Sequence, residues 1–414
     1  MNFKIKRILV IICIMLTLIL LINYTDYSKK EDRNIVLSTA TQSIQQEVNS
    51  SQSGSIIIVK SGTYLERVRV SKNDIKIICE AVGTCFTQGF EVWGSDNVVD
   101  GFVVTGLGVG IDVRQHDNVI RNIEVHDITI RLGDADGIHI FGTGHLFENI
   151  YIHDIDEYDN GDPHTDCFQT WAVPERGGAA SFITIKNVVC DLPFGGGSKT
   201  FQSSGGSHDW TIRNVVSITP MAALFYDAYN INVAYSTFIG AETAVQSKPN
   251  GFKFLTSTGG NEIAYSIFTN ITGTAAIYLS KATANSHNNC YWQTKTRIPD
   301  PGDVYADPLL LPDFSLALES PCAGMGAFPI LQPVTPTITP TQTSVITPTM
   351  TITNTSTTTP TLTSTLTPTI TKTFTPTFTP TPTFTQTQTP APTLDYLVNE
   401  TPFFCLRPCE FIFP

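Results

Sequence analysis

Positive charge is scarce in this chain. Its 414 residues carry 25 Lys and Arg against 37 Asp and Glu, a formal net charge of −12. Phosphate contact needs clustered cationic side chains, so a nucleic-acid partner is set aside. An apolar run of full bilayer length is also lacking. The run from Ile8 to Ile22 is roughly 15 residues, short of the about 20 that span a membrane. No small-x-small cleavage site follows it, since Asn23, Tyr24 and Thr25 come next. Lys4, Lys6 and Arg7 nevertheless give it the positive flank of a secretory signal. Residues 1–30 are thus a signal peptide or an N-terminal membrane anchor, and either way the rest of the chain is expected to be secreted or displayed at the cell surface. Cysteine is sparse, with nine in all, one of them (Cys13) in that apolar run. Eight is an even number that suits an oxidising compartment. Cys79 with Cys85, and Cys405 with Cys409, are close enough for local bridges. Cys167, Cys190, Cys290 and Cys322 read equally well as bridges or as buried thiols.

What the chain does have is a repeat. Val98–Val104, Val119–Val125, Leu146–Ile152, Thr184–Cys190 and Thr211–Ser217 each alternate apolar and polar residues. They align Gly101, Asn122, Asn149, Asn187 and Asn214 in one column, continued by Tyr235 and Tyr265. Alternation of period two means strand. A repeat of one coil plus variable loops means stacked strands that bury one another. An antiparallel sandwich also has many short strands, but it has no reason for a column repeat. Asn in such a column can form an amide ladder along the stack. A second strand per coil aligns Gly110–Arg114, Gly137–Phe141, Cys167–Trp171, Thr200–Ser204, Leu224–Ala228, Ala244–Lys248 and Ala276–Ser280. Ile111, Ile138, Phe168, Phe201, Phe225, Val245 and Ile277 are then expected to point inward, and the residues after them outward.

The segments Ser55–Cys79 and Tyr305–Gly326 resemble the first coils and the closing segment of the pectin-lyase-like superfamily. The resemblance implies an all-β chain whose residues 34–330 form a right-handed parallel β-helix. This fold carries lyases, hydrolases, epimerases, esterases and adhesins, so it does not settle activity. Residues 331–393 are rich in Thr and Pro, cannot bury a core, and read as a disordered stalk. Residues 394–414 form a short segment with two cysteines.

Solenoids bind on stacked outward faces. In this register Asp112, His139, Gln169, Gln202 and Tyr226 form one solvent-facing ladder, with rungs about 4.8 Å apart. Arg114, Phe141 and Trp171 occupy the next column. Asp134, Asp136, Asp166 and Lys199 stand at the turn before the sheet, and the polar insertion 156–165 adds Asp162 and His164. Carboxylates, imidazoles, a Lys and a Trp together suit a sugar site. Asp136, His139, His164, Asp166 and Lys199 are the expected catalytic groups, with His139 or His164 as base. Asp112, Arg114, Gln169, Trp171, Gln202 and Tyr226 are the expected substrate contacts. Asp134, Asp136, Asp162 and Asp166 offer oxygen ligands for calcium.

Each feature also has a structural reading. Asp136-Gly137 suits a turn, Gln169 with Gln202 suits an amide ladder, and His126-Asp127 with His153-Asp154 reads as stacked turn residues. The Asn-Thr-Asp, Asp-Asp, Gly-His-Gly and Arg-Ile-Lys signatures of polygalacturonases do not occur in order. Asp162-Pro163-His164 resembles the Asp-Pro-His of mannuronan C5-epimerases, with Thr165 and Asp166 departing from that motif. The expectation is a monomeric exported protein acting on polysaccharide, lyase-like in chemistry. The alternative is a non-catalytic glycan-binding or adhesion module on a Thr/Pro stalk.

Overall fold

The segments that alternate in sequence are strands, and each pairs with its equivalent one coil away. The structure is a computed structural model that describes residues 35–38, 43–131, 134–155, 165–193, 197–242, 248–256, 259–295 and 300–327. Asp162, His164, the N-terminal apolar run and the Thr/Pro stretch lie outside the described residues. Every pairing between strands is parallel, for instance Val119–Thr129 with Leu146–His153 and then Thr184–Asp191. That rules out the antiparallel sandwich and makes the chain a parallel β-helix.

The bend between the first two strands of a coil falls on the column seen in the sequence. Asn122, Asn149, Asn187, Asn214, Tyr235 and Tyr265 all have φ between 51° and 57°, and Gly101 has φ 89°. This left-handed conformation strains most residues, and Asn tolerates it best after Gly. The amides also bond along the stack. Asn149 Nδ2 donates to Asn122 Oδ1 (2.9 Å), Asn187 to Asn149 (3.0 Å) and Asn214 to Asn187 (2.8 Å). Where the column switches to tyrosine, the rings of Tyr235 and Tyr265 stack at 5.1 Å. His126 and His153 stack at 5.2 Å, and each bonds the Asp that follows it, as turn residues.

The third strand of each coil builds a separate nine-stranded sheet. It contains Val109–Val113, Asp136–Ile140, Asp166–Thr170, Lys199–Ser203, Met221–Tyr226, Asn250–Leu255 and Ile277–Ser280. Its motif is a small residue, then a large apolar one, then an outward one: Gly137-Ile138-His139, Cys167-Phe168-Gln169, Thr200-Phe201-Gln202. The small residue is required. A Cβ on Gly137 would lie 2.8 Å from the Cys167 carbonyl and 3.0 Å from Ile152.

Two expected rungs differ. Phe201 pairs with Ala223, not Phe225, so Gln202 is followed by Leu224, and Tyr226 lies two residues further along its strand. Interior volume explains the shift. Beside the small Ala223, the Phe225 ring fills the space and stacks 6.5 Å from Phe201. In the next coil the strand that pairs with Met221–Tyr226 is Asn250–Leu255, with Phe252 beside Ala223, while Val245 lies outside the described residues. Pro249-Asn250-Gly251 looks like a turn in sequence. Gly251 instead occupies the small-residue position, because its Cβ would meet the Ala276 carbonyl at 2.0 Å.

The interior holds Ile, Val and Phe with no solvent exposure, among them Ile111, Ile138, Phe168, Phe201 and Phe252. A short helix, Ile44–Ser50, adds Ile44 and Val48 to this core. Among the described residues three disulfides join Cys79–Cys85, Cys167–Cys190 and Cys290–Cys322, while Cys405 and Cys409 lie outside them. Cys167 stands where the preceding coil has Gly137, and Cys190 where it has Ile152, so the bridge crosses the interior one coil on. In the following coil Thr200 and Ser217 meet there, Oγ to Oγ at 2.6 Å.

Candidate functional site

Because the small and the large residue of each motif both face inward, the residue before them and the residue after them share the outer side. That places Asp136 with His139, Asp166 with Gln169, and Lys199 with Gln202. Asp136 Oδ2 lies 2.8 Å from His139 Nε2, and Asp136 Oδ1 accepts from the Asp166 amide at 2.6 Å. Asp166 Oδ1 is 3.5 Å from Lys199 Nζ, and Gln169 Nε2 donates to Asp166 Oδ2 at 3.4 Å. The Lys199 ammonium also donates to the Gly197 carbonyl at 2.8 Å. Residues from three coils thus form one continuous polar chain from His139 to Lys199.

The chain is buried rather than solvent-facing as expected: Asp136 is 0% exposed and His139 3%. The edge of Trp171 meets His139 at 4.9 Å between ring centroids and Phe141 at 4.8 Å. Phe141, expected outside, is fully buried. The Arg176 guanidinium lies 5.0 Å from the Phe141 ring centroid, 5.6 Å from that of Trp171 and 3.4 Å from Asp112 Oδ2. Asp112 is therefore also buried, and it accepts from Arg114 Nε at 2.6 Å. Arg114 in turn stacks 4.0 Å over Trp93. The cluster meets solvent on the side of Asp134, whose side chain is 38% exposed and lies 3.6 Å from His139 Nε2.

Burial sets the protonation of the central pair. It pushes the Asp136 carboxyl well above the usual carboxylate range, and the neighbouring Asp166 and Asp134 carboxylates push it further. Burial also pushes the His139 imidazole down, against the pull of Asp134 and Asp112. Burial thus disfavours the charged form of both partners.

Asp134, Asp136 and His139 present ligand atoms within 4.8 Å of one another. Calcium takes six to eight oxygens. Here the set is two carboxylates and an imidazole, both Asp136 oxygens are engaged, and Asp166 is bonded to Lys199 and Gln169. Asp162, the fourth expected calcium ligand, lies outside the described residues.

Of the expected residues, Asp134, Asp136, His139, Asp166, Lys199, Gln169 and Trp171 come together. Asp112 and Arg114 stand one coil before. Gln202 lies one rung past Gln169, and Tyr226 is exposed further along the wall. A cavity of about 480 Å³, lined by Arg67, Gln88, Thr105, Asp127, Thr129 and Arg131 among others, does not include the cluster. It adjoins the cluster through the Arg131–Asp134 backbone bridge. Arg176 and Lys253 were not anticipated. Arg176 sits in an excursion outside the repeat and gives no signal. Lys253 could have been found, since Asn250-Gly251-Phe252-Lys253 matches Asp136-Gly137-Ile138-His139.

Fold and cluster together define a parallel β-helix with a buried Asp–His pair on one outer wall. No family model matches the chain, and no curated protein matches it. Solved structures similar to it include a pectin methylesterase variant in complex with a hexasaccharide (9% identity, TM-score 0.32, 66% of this chain and 93% of that one). A PL6 family alginate lyase is similar at 12% identity and TM-score 0.34, over 72% of this chain and 57% of that one. The A-module of mannuronan C-5 epimerase from Azotobacter vinelandii is similar at 10% identity and TM-score 0.27, over 64% and 94%. The chain therefore spans under two thirds of the alginate lyase.

Proposed function

We propose that this is an exported β-helix enzyme acting on an acidic polysaccharide by β-elimination. The observation that carries the reading is the buried Asp136–His139 pair linked through Asp166 to the Lys199 ammonium. Elimination from a uronate needs a cation beside the sugar carboxylate and groups that take up and deliver protons. In this reading Lys199 faces the carboxylate, the Asp136 proton passes through His139 to the leaving oxygen, and Trp171 presents an apolar face to a sugar ring. His164, placed by sequence in the adjoining insertion, is the proposed base. Three disulfides fit the oxidising surroundings of an exported protein.

The test is appearance of unsaturated-sugar absorbance over a panel of uronate polymers. Wild type is expected to give product, and His139→Gln is expected to lower the rate by about a hundredfold or more. No unsaturated product and no new reducing ends from wild type on any polymer would end the enzymatic reading. The deep burial of His139 favours one rival, a non-catalytic glycan-binding module in which the cluster is structural. That rival requires glycan retention to survive Asp136→Ala without any product being formed.

A further inference from the structure

The strand missed in sequence brings a second cation onto the wall. Gln202 pairs with Leu224, Leu224 with Lys253 and Lys253 with Tyr278, so Lys253 stands in the row that begins at His139. Burial pushes its amine below the usual lysine range, and the charge of Lys199 adds to the effect. Among the described residues no carboxylate lies within ion-pairing distance of Lys253, whereas Lys199 has Asp166. A half-buried cation in this row, without a counter-ion among the described residues, is unfavourable unless an anion completes the set. The surroundings suit a sugar. Tyr278 on the next rung is 37% exposed and Tyr226 is 46% exposed, and aromatic faces of this kind support pyranose rings.

We propose that Lys253 forms a subsite for an anionic substituent of the glycan, a carboxylate or a sulfate ester, with sugar rings carried by Tyr226 and Tyr278. The subsite rests on the reading of this wall as polysaccharide-acting and extends it away from the proton-transfer pair. Lys253 lies four rungs beyond His139, about 19 Å at strand spacing. The substrate therefore runs lengthwise along the solenoid and spans several sugar units.

The experiment is calorimetric binding of the full chain to an oligouronate, a sulfated oligosaccharide and a neutral oligosaccharide of equal length. Binding of the anionic ligands is expected to be tighter and to weaken with salt. The tighter of the two identifies the substituent. Lys253→Gln is expected to weaken anionic binding about tenfold, leave neutral binding unchanged, and keep the wild-type melting temperature or raise it. Lys253→Arg is expected to retain most of the affinity, and Tyr278→Ala to weaken both ligand classes. Anionic affinity within twofold of wild type in Lys253→Gln, or equal loss for neutral ligands, would overturn the subsite. Lys253-dependent binding without product from any polymer leaves the subsite standing and removes the elimination reading. Product formation with Lys253-independent binding does the reverse.

Discussion

Asp136 has no exposed surface, a carboxylate on either side, and a carboxyl pushed well above its ordinary value, first by burial and then by Asp166 and Asp134. An acid whose value is raised on folding contributes stability that is full below its unfolded value. That stability is lost as pH rises through the folded one. Above it, folding must bury an anion. Asparagine keeps the geometry: its carbonyl can accept the Asp166 amide and its amide can donate to Nε2 of neutral His139. Asp136→Asn is thus expected to melt close to wild type at about pH 4 and above it at about pH 8, while product formation falls by about a hundredfold or more. Melts across that range check this. A variant less stable than wild type at the alkaline end would mean that the charged form of Asp136 is the stabilising one. The residue types in this cluster were readable in sequence. Their burial was not, because it depends on Trp171 and on Arg176, which reaches Asp112 from 64 positions away.

Each corner of the coil is an element held by backbone geometry and by its neighbours in the stack. Asn187 has φ 57°, donates to Asn149 and accepts from Asn214. Asn187→Ala loses both amide bonds and forces a Cβ-bearing residue without a local partner into the left-handed region. The expected cost is about 2–3 kcal/mol. Asn187→Gly keeps the turn and loses the bonds, for about 1–2 kcal/mol. Urea denaturation of the two variants separates the effects, and equal midpoints would show that the backbone conformation contributes nothing. This column was legible because one residue type recurs wherever the same φ is required. The third strand was harder to read. Phe225 resembles Phe201 in type and stacks on it in space, yet pairs with Ser203, because core volume rather than register chose its place. Gly251 serves close packing against Ala276, a demand set by the next coil.

Over the whole molecule the coils are held by stacking, and the Cys167–Cys190 bridge ties the wall strand of the cluster across the interior, since Cys167 adjoins Asp166. Loop closure over a sequence separation of 23 is worth about 3 kcal/mol. Cys167→Ser with Cys190→Ser is expected to lower stability by that order and to raise amide exchange in Asp166–Thr170 more than in Ile56–Val59. Uniform exchange along the solenoid would show that the brace is not local. The order of residues alone determined that this chain stacks coils and where each coil bends. Those features follow from alternation and from backbone conformations that few residue types accept, and both are local. Only the tertiary structure decided that the wall cluster is covered, that burial raises the Asp136 carboxyl, that Leu224 rather than Tyr226 follows Gln202, and that Lys253 joins the same row. Each of these depends on volume and charge supplied by other coils, and no local pattern encodes them.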